Sequence, residues 1–189
     1  GEPEPPGERR GVLRGDFGYR YTNGQPVLAT IGQRLGPTVL LAGTALAIGA
    51  VVGVSLGIFT ALRQYSIWDF LLTGVSFLGI AIPSFVAGII CLYIFSINLG
   101  WFPSGGMRPV SAEPTLLTTL HHLALPALIL SLWPIANFMR YTRFSMLEVI
   151  RADYVRTARG KGMRERRITW RHSFPNAMLP VITLLGLSL

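Results

Sequence analysis

The sequence predicts an all-α fold, a polytopic transmembrane helix bundle, and three observations predict it. Half of the 189 residues are hydrophobic and 14% are charged, whereas soluble domains carry about 25% charged residues. The mean hydropathy is +0.46. Charge is also segregated: long runs without Asp, Glu, Lys or Arg alternate with polar segments that hold the net charge of +8. A helix wetted by water would show a polar face at helical period, and these runs show none.

Residues 1–26 are rich in Pro, Gly and Arg and have neither a helical nor an alternating period, so they read as loop or short irregular structure. No apolar leader opens the sequence. Residues 36–62 form the first expected span. It is uncharged from Pro37 to Leu62, long enough to cross a bilayer with some tilt. Gly49, Gly53 and Gly57 recur every four residues in it, with Ala45 one step earlier. On a helix they form one smooth stripe on which a second backbone can approach closely.

Residues 69–99 form the second span, opened by Asp69 and interrupted by Pro83. Proline removes a backbone hydrogen bond that lipid cannot replace, so a kinked or broken span facing other helices is expected. Cys91 lies in this apolar run and reads as a small buried or lipid-facing residue, with no disulfide framework in the chain. Residues 100–115 are a turn-rich loop. Residues 116–139 form the third span, with Pro126 and Pro134 inside it and His121 and His122 near its start. Adjacent helical residues point about 100° apart, so the two histidines are read as interfacial and no metal site is expected. The apolar run 176–189 begins a fourth span. It reaches about 21 Å of the ~30 Å a bilayer core requires, and both ends of the chain read as truncated.

Residues 140–175 are the strongly basic part. Arg140, Arg143, Arg151, Arg156, Arg159, Lys161, Arg164, Arg166, Arg167 and Arg171 face only Glu148, Asp153 and Glu165. Basic loops stay in the cytoplasm, which places this segment and the turn after Arg63 inside, and the 100–115 loop and the N-terminal region outside. Apolar residues recur at helical spacing up to Ala158, and Gly160 and Gly162 bracket Lys161, which ends a helix there. A second basic helix from Arg164 to about His172 is expected before Pro175. Tethering between two spans argues against nucleic acid as a partner. Anionic lipid remains an alternative, the chain then acting as a lipid- or protein-binding scaffold. No phosphate-binding glycine loop is present, no ionisable residue sits at the centre of a span, and no catalytic grouping lies at span depth. An energy source in a partner, received through the basic helix pair, is the reading that remains, and the chain itself is read as no enzyme.

The run Asp153-Tyr154-Val155-Arg156-Thr157-Ala158-Arg159-Gly160-Lys161-Gly162, then Arg166-Arg167, Arg171-His172 and Asn176-Ala177-Met178-Leu179-Pro180, resembles the dipeptide/oligopeptide branch of ABC importer permeases. That family carries a cytoplasmic loop of the form E-A-A-x-x-x-G-x9-I-x-L-P. Arg156, Thr157 and Ala158 occupy the E-A-A positions, Gly162 the glycine, His172 the isoleucine, and Phe174 and Pro175 the final pair. Only Ala158, Gly162 and Pro175 match the general pattern literally. Leu13-Arg14-Gly15-Asp16-Phe17-Gly18, Ile82-Pro83-Ser84-Phe85 and the run from Leu99 to Gly106 are also similar to that branch. The resemblance implies a bundle of the ABC importer type in the bacterial inner membrane, with residues 1–35 an external segment following a missing first helix, and a cytoplasmic coupling helix pair contacting an ATPase through Tyr154, Arg156, Thr157, Ala158, Arg159, Lys161 and Gly162. Arg156 and Arg159 would pair with acidic groups of the ATPase. It further implies a second related permease, two cytoplasmic ATPase subunits carrying ATP and magnesium, and an external solute-binding protein, with no cofactor in this chain. Dipeptides or oligopeptides are the implied cargo, nickel or glutathione the alternative.

Overall fold

The structure, a computed structural model, describes residues 17–106 and 115–188. Leu13, Arg14, Gly15 and Asp16 of the external motif, and Arg108, Pro109, Glu113 and Pro114 of the expected loop, lie outside the described residues. Among the described residues the elements are helical: α1 (Val27–Leu62), α2 (Ile67–Ala81), α3 (Ser84–Cys91), α4 (Leu116–Ile150), α5 (Asp153–Gly160), α6 (Glu165–Ile168) and α7 (Phe174–Leu187). The chain forms two compact units, Gly1–Leu41 and Ala42–Leu189.

In the first unit a tight turn precedes α1. Gly24 N–H donates to Arg20 O at 2.9 Å, Arg20 N–H to Gln25 O at 2.9 Å, and Val27 N–H to Gly18 O at 2.9 Å. The helix starts at Val27, ahead of the span start expected at residue 36. Pro37 is no barrier: it removes one backbone donor, and beside it the Thr38 hydroxyl donates to Arg34 O at 2.8 Å.

In the second unit the remainder of α1 presents Ala45, Gly49, Gly53, Gly57 and Ala61 as its buried stripe, and α4 lies against it. A Cβ added at Gly49 would collide with Pro134 Cβ; at Gly53 it would fall 2.6 Å from Ile135 O, and at Gly57 2.6 Å from Met139 O. Helices in lipid gain little from hiding apolar surface from one another, so close van der Waals approach carries their association. The stripe lets the α1 and α4 backbones meet directly. One step along, Ile58 and Ala61 join Phe138, Met146, Ala177, Met178 and Val181 in the core shared by α1, α4 and α7, and the buried Ser145 hydroxyl donates to Ala177 O at 2.8 Å.

Ser66 caps α2 by accepting from Asp69 N–H at 3.3 Å. At Pro83 the chain ends one helix and starts another: α2 and the helix that follows are bent by 99°. Ile82 N–H closes on Leu78 O, and Val86 and Ala87 N–H both donate to Pro83 O, so these three donors at the break find local partners. The interruption is therefore a full break. Among the described residues α3 buries none of its side chains, which leaves its faces for lipid or for further helices. Cys91 is half-buried. The chain widens into a π-helical segment over Leu92–Asn98, and Trp101 and Phe102 N–H return to Phe95 O at 2.8 and 3.3 Å.

Helix α4 starts in a capping box between Thr115 and Thr118. It does not stop at Met139, where the span was expected to end; it runs to Ile150. Charge marks where a helix leaves the membrane, not where it ends, and Arg140 and Arg143 continue the helical path. By length and composition α1 and α4 can each cross a membrane, and the bent α2–α3 pair can supply a third crossing. Phe70, Val75, Phe77, Phe85 and Ile89 are all more than half exposed, an apolar exterior suited to lipid or further helices.

Candidate functional site

The candidate site is the helix pair between α4 and α7. After Ile150 two backbone bonds, Arg151 N–H to Glu148 O and Ala152 N–H to Val149 O, close the end of α4, and α5 begins at once. Its polarity suits the helix dipole, with Asp153 in the first turn and Arg159 in the last. Val155 and Ala158 form its buried face and meet Ile168 of α6, with Met163 packed against all three. The helix ends in a Schellman turn: Met163 N–H reaches Ala158 O at 3.3 Å and Gly162 N–H reaches Arg159 O at 2.9 Å. Gly162 takes φ +75°, the left-handed conformation that favours glycine. Gly160 keeps ordinary helical backbone.

The expected second helix does not stop before Pro175. From α6 the chain passes through a π-helical segment, Thr169–Ser173, into α7 without a break, and Phe174 N–H donates to Thr169 O. The wider turn makes room for the Pro175 ring and its missing donor, so one rod runs from Glu165 to Leu187.

The structure places the sequence-predicted residues in different roles. Arg156, Thr157 and Lys161 are exposed on α5 and the turn. The Thr157 hydroxyl is used within the helix, donating to Asp153 O at 2.9 Å, and Arg156 lies 3.7 Å from Asp153, with both side chains well exposed. Ala158 is buried, so its size matters to the inner packing. Tyr154 is tied inward, its hydroxyl accepting from Asn176 Nδ2 of α7 at 3.2 Å. Arg159 is engaged within this chain: its Nε and Nη2 bind Glu165 at 2.8 and 3.3 Å, and Nη1 approaches Ile150 O at 3.5 Å. The guanidinium therefore bridges α5, α6 and the end of α4, since the Gly162 turn brings Glu165 back alongside the last turn of α5.

A second polar constellation escaped the sequence reading. Arg143 of α4 grips Asp69 of α2 with two parallel hydrogen bonds, Nε to Oδ1 and Nη2 to Oδ2, both 2.8 Å. Asp69 also accepts from Tyr65 N–H at 3.0 Å, where Tyr65 turns the chain at φ +65°. The sequence signal was a lone acid opening a run with no other charge. Its partner lies 74 residues away, one of the nine arginines between residues 140 and 171. Alongside, Arg151 Nη2 reaches Gln64 Oε1 at 3.4 Å. Near the other end of α4, the His121 ring donates through Nε2 to Trp101 O at 2.7 Å, and the His122 ring binds Thr118 O through Nδ1 at 2.8 Å. Both rings serve the backbone, and among the described residues no group of three potential ligands could hold a metal ion.

Residues 53–189 match the family model described as binding-protein-dependent transport system inner membrane component. The chain is 42% identical over 177 residues to an oligopeptide transport system permease protein of Bacillus subtilis, covering 93% of this chain and 56% of that protein. It is 44% identical over 176 residues to a putative peptide permease protein of Brucella suis, covering 93% and 55%, and 39% identical over 179 residues to a probable peptide ABC transporter permease protein of Sinorhizobium fredii, covering 94% and 56%. The chain thus spans about half the length of the curated relatives it matches. With the family model matching residues 53–189 and relatives of about 42% identity over nearly its whole length, this helical chain with an apolar exterior belongs to the family of binding-protein-dependent transport system inner membrane components.

Proposed function

We propose that this chain is part of the permease subunit of an ATP-driven ABC importer that carries dipeptides or oligopeptides across the bacterial inner membrane. The α5–α6 pair then lies in the cytoplasm and receives movement from two partner ATPase subunits, which bind ATP and magnesium. A second related permease completes the pathway, and an external solute-binding protein delivers cargo. The peptide cargo rests on the peptide permeases among the relatives, and the inward placement of residues 140–175 on their excess of Arg and Lys.

One observation carries the coupling reading: α5 offers an exposed polar face while its inner face is fixed to the rod at three points. These are the Val155–Ala158–Ile168 cluster, the Arg159–Glu165 pair and the Tyr154–Asn176 bond. A push on α5 is delivered to α7 because packed elements shift as near-rigid bodies. Among the described residues Arg156 has only the exposed Asp153 at 3.7 Å, and Arg156 and Lys161 are the residues that meet an ATPase. In the full-length subunit with its partners, Arg156→Glu with Lys161→Glu leaves membrane insertion unchanged and reduces ATP-dependent uptake of labelled dipeptide at least tenfold (about 1.4 kcal/mol of lost coupling). Normal uptake by this variant refutes the assignment.

A further inference from the structure

The arginines that follow the Gly162 turn are not used by the contacts described above. Arg164, Arg166, Arg167 and Arg171 are exposed and, together with Trp170, line one open hollow. Among the described residues none of the four has a carboxylate within ion-pair distance: Glu165 is held by Arg159 and Asp153 lies beside Arg156. The opposite side of the same rod is buried, with Ile168 at 1%, Ser173 at 1% and Ala177 at 0% exposure.

The outer face changes character along its length. Arg167, Arg171, Pro175, Leu179 and Ile182 follow one another at intervals of three or four residues and are all exposed, which places them along one side of a helix. Leu179 and Ile182 are more than 60% exposed. Between guanidinium and aliphatic groups stands an aromatic pair, Trp170 and Phe174, with ring centroids 5.3 Å apart. From water toward the span, the order is cation, aromatic, aliphatic. A phospholipid leaflet presents phosphate, interface and acyl chain in that order. Arginine matches phosphate with planar paired donors, tryptophan favours the headgroup level, and clustered basic residues beside a span attract anionic lipid. The exposed face of α5 lacks this aliphatic continuation.

We propose that the outer face of the α6–α7 rod, Arg164, Arg166, Arg167, Arg171 and Trp170, binds the phosphate headgroup of an anionic phospholipid of the surrounding leaflet. The test uses the full-length subunit with its partner subunits, in micelles titrated with phosphatidylglycerol or phosphatidylcholine and read by native mass spectrometry. Arg167→Gln with Arg171→Gln is expected to weaken phosphatidylglycerol binding roughly 25-fold, at about fivefold per arginine, and to leave phosphatidylcholine binding unchanged. Equal phosphatidylglycerol binding by the variant and the parent overturns the proposal. Loss of the ATPase subunit with lipid binding intact also overturns it, and identifies the face as a protein-docking surface. A second measurement needs no arginine substitution: tail-brominated phosphatidylglycerol quenches the fluorescence difference between the parent and Trp170→Phe more than tail-brominated phosphatidylcholine does. Quenching that is indifferent to the headgroup overturns the proposal.

Discussion

Removing one partner of the Asp69–Arg143 pair strands a charge between α2 and α4, and the cost can be worked from the geometry. Two charge-assisted hydrogen bonds of 2.8 Å join the groups, each contributing about 1.5–3 kcal/mol. The Asp69 side chain is 4% exposed and that of Arg143 27%, so water can take up part of the guanidinium's demand but little of the carboxylate's. A loss of about 3 kcal/mol is expected for Arg143→Met, which leaves the buried carboxylate unpaired. Asp69→Asn should cost about 2 kcal/mol, since the amide keeps the bond from Tyr65 N–H. The double variant leaves no buried charge, so its loss is smaller than the sum by about 2 kcal/mol. The assay is denaturant unfolding of the full-length subunit in mixed micelles, followed by circular dichroism, with the four proteins forming a double-mutant cycle. Single variants within 0.5 kcal/mol of the parent, or strictly additive losses, would refute the clamp.

Three further outcomes follow from the packing. Gly53→Ala drives a Cβ to 2.6 Å from Ile135 O and should cost about 2 kcal/mol of stability by prying α1 from α4, whereas Gly43→Ala, with no atom within 4 Å, should stay within about 0.5 kcal/mol; equal losses would remove the close contact. Gly162→Ala should cost about 1–2 kcal/mol through its left-handed backbone alone, while Gly160→Ala, in open space on ordinary helix, should be neutral, and thermal unfolding of the two variants separates the roles of these glycines. Arg159→Glu should lower uptake, and adding Glu165→Arg should restore it, because the pair is internal; failure of the double exchange would return Arg159 to a partner-facing role.

Features that depend on local spacing were legible in the sequence. The four-residue interval of Gly49, Gly53 and Gly57 marks one helix face whatever lies opposite, Pro83 breaks a helix through its own covalent geometry, and Gly160-Lys161-Gly162 ends one. Features that depend on composition were displaced: α4 passes through Arg140, which is exposed, and Arg143, which is paired with Asp69, because a cation with water or a carboxylate beside it does not interrupt a helix, and α1 begins before the exposed Arg34 for the same reason. Pairings were illegible. Arg159 finds Glu165 only once the Schellman turn has folded back, and Asp69 selects Arg143 from ten basic residues only when α2 and α4 lie side by side. The surface that an arginine presents to a partner is whatever its own chain leaves unused, and that remainder exists only after folding.

The uninterrupted course from Glu165 to Leu187 has a mechanical consequence. At about 1.5 Å per residue it extends for roughly 33 Å, and the π-helical segment absorbs Pro175 without a hinge. With α5 held to this rod by the Val155–Ala158–Ile168 cluster, the Arg159–Glu165 pair and the Tyr154–Asn176 bond, α5, α6 and α7 make one stiff piece, and residues 151–152 are the short link that joins it to α4.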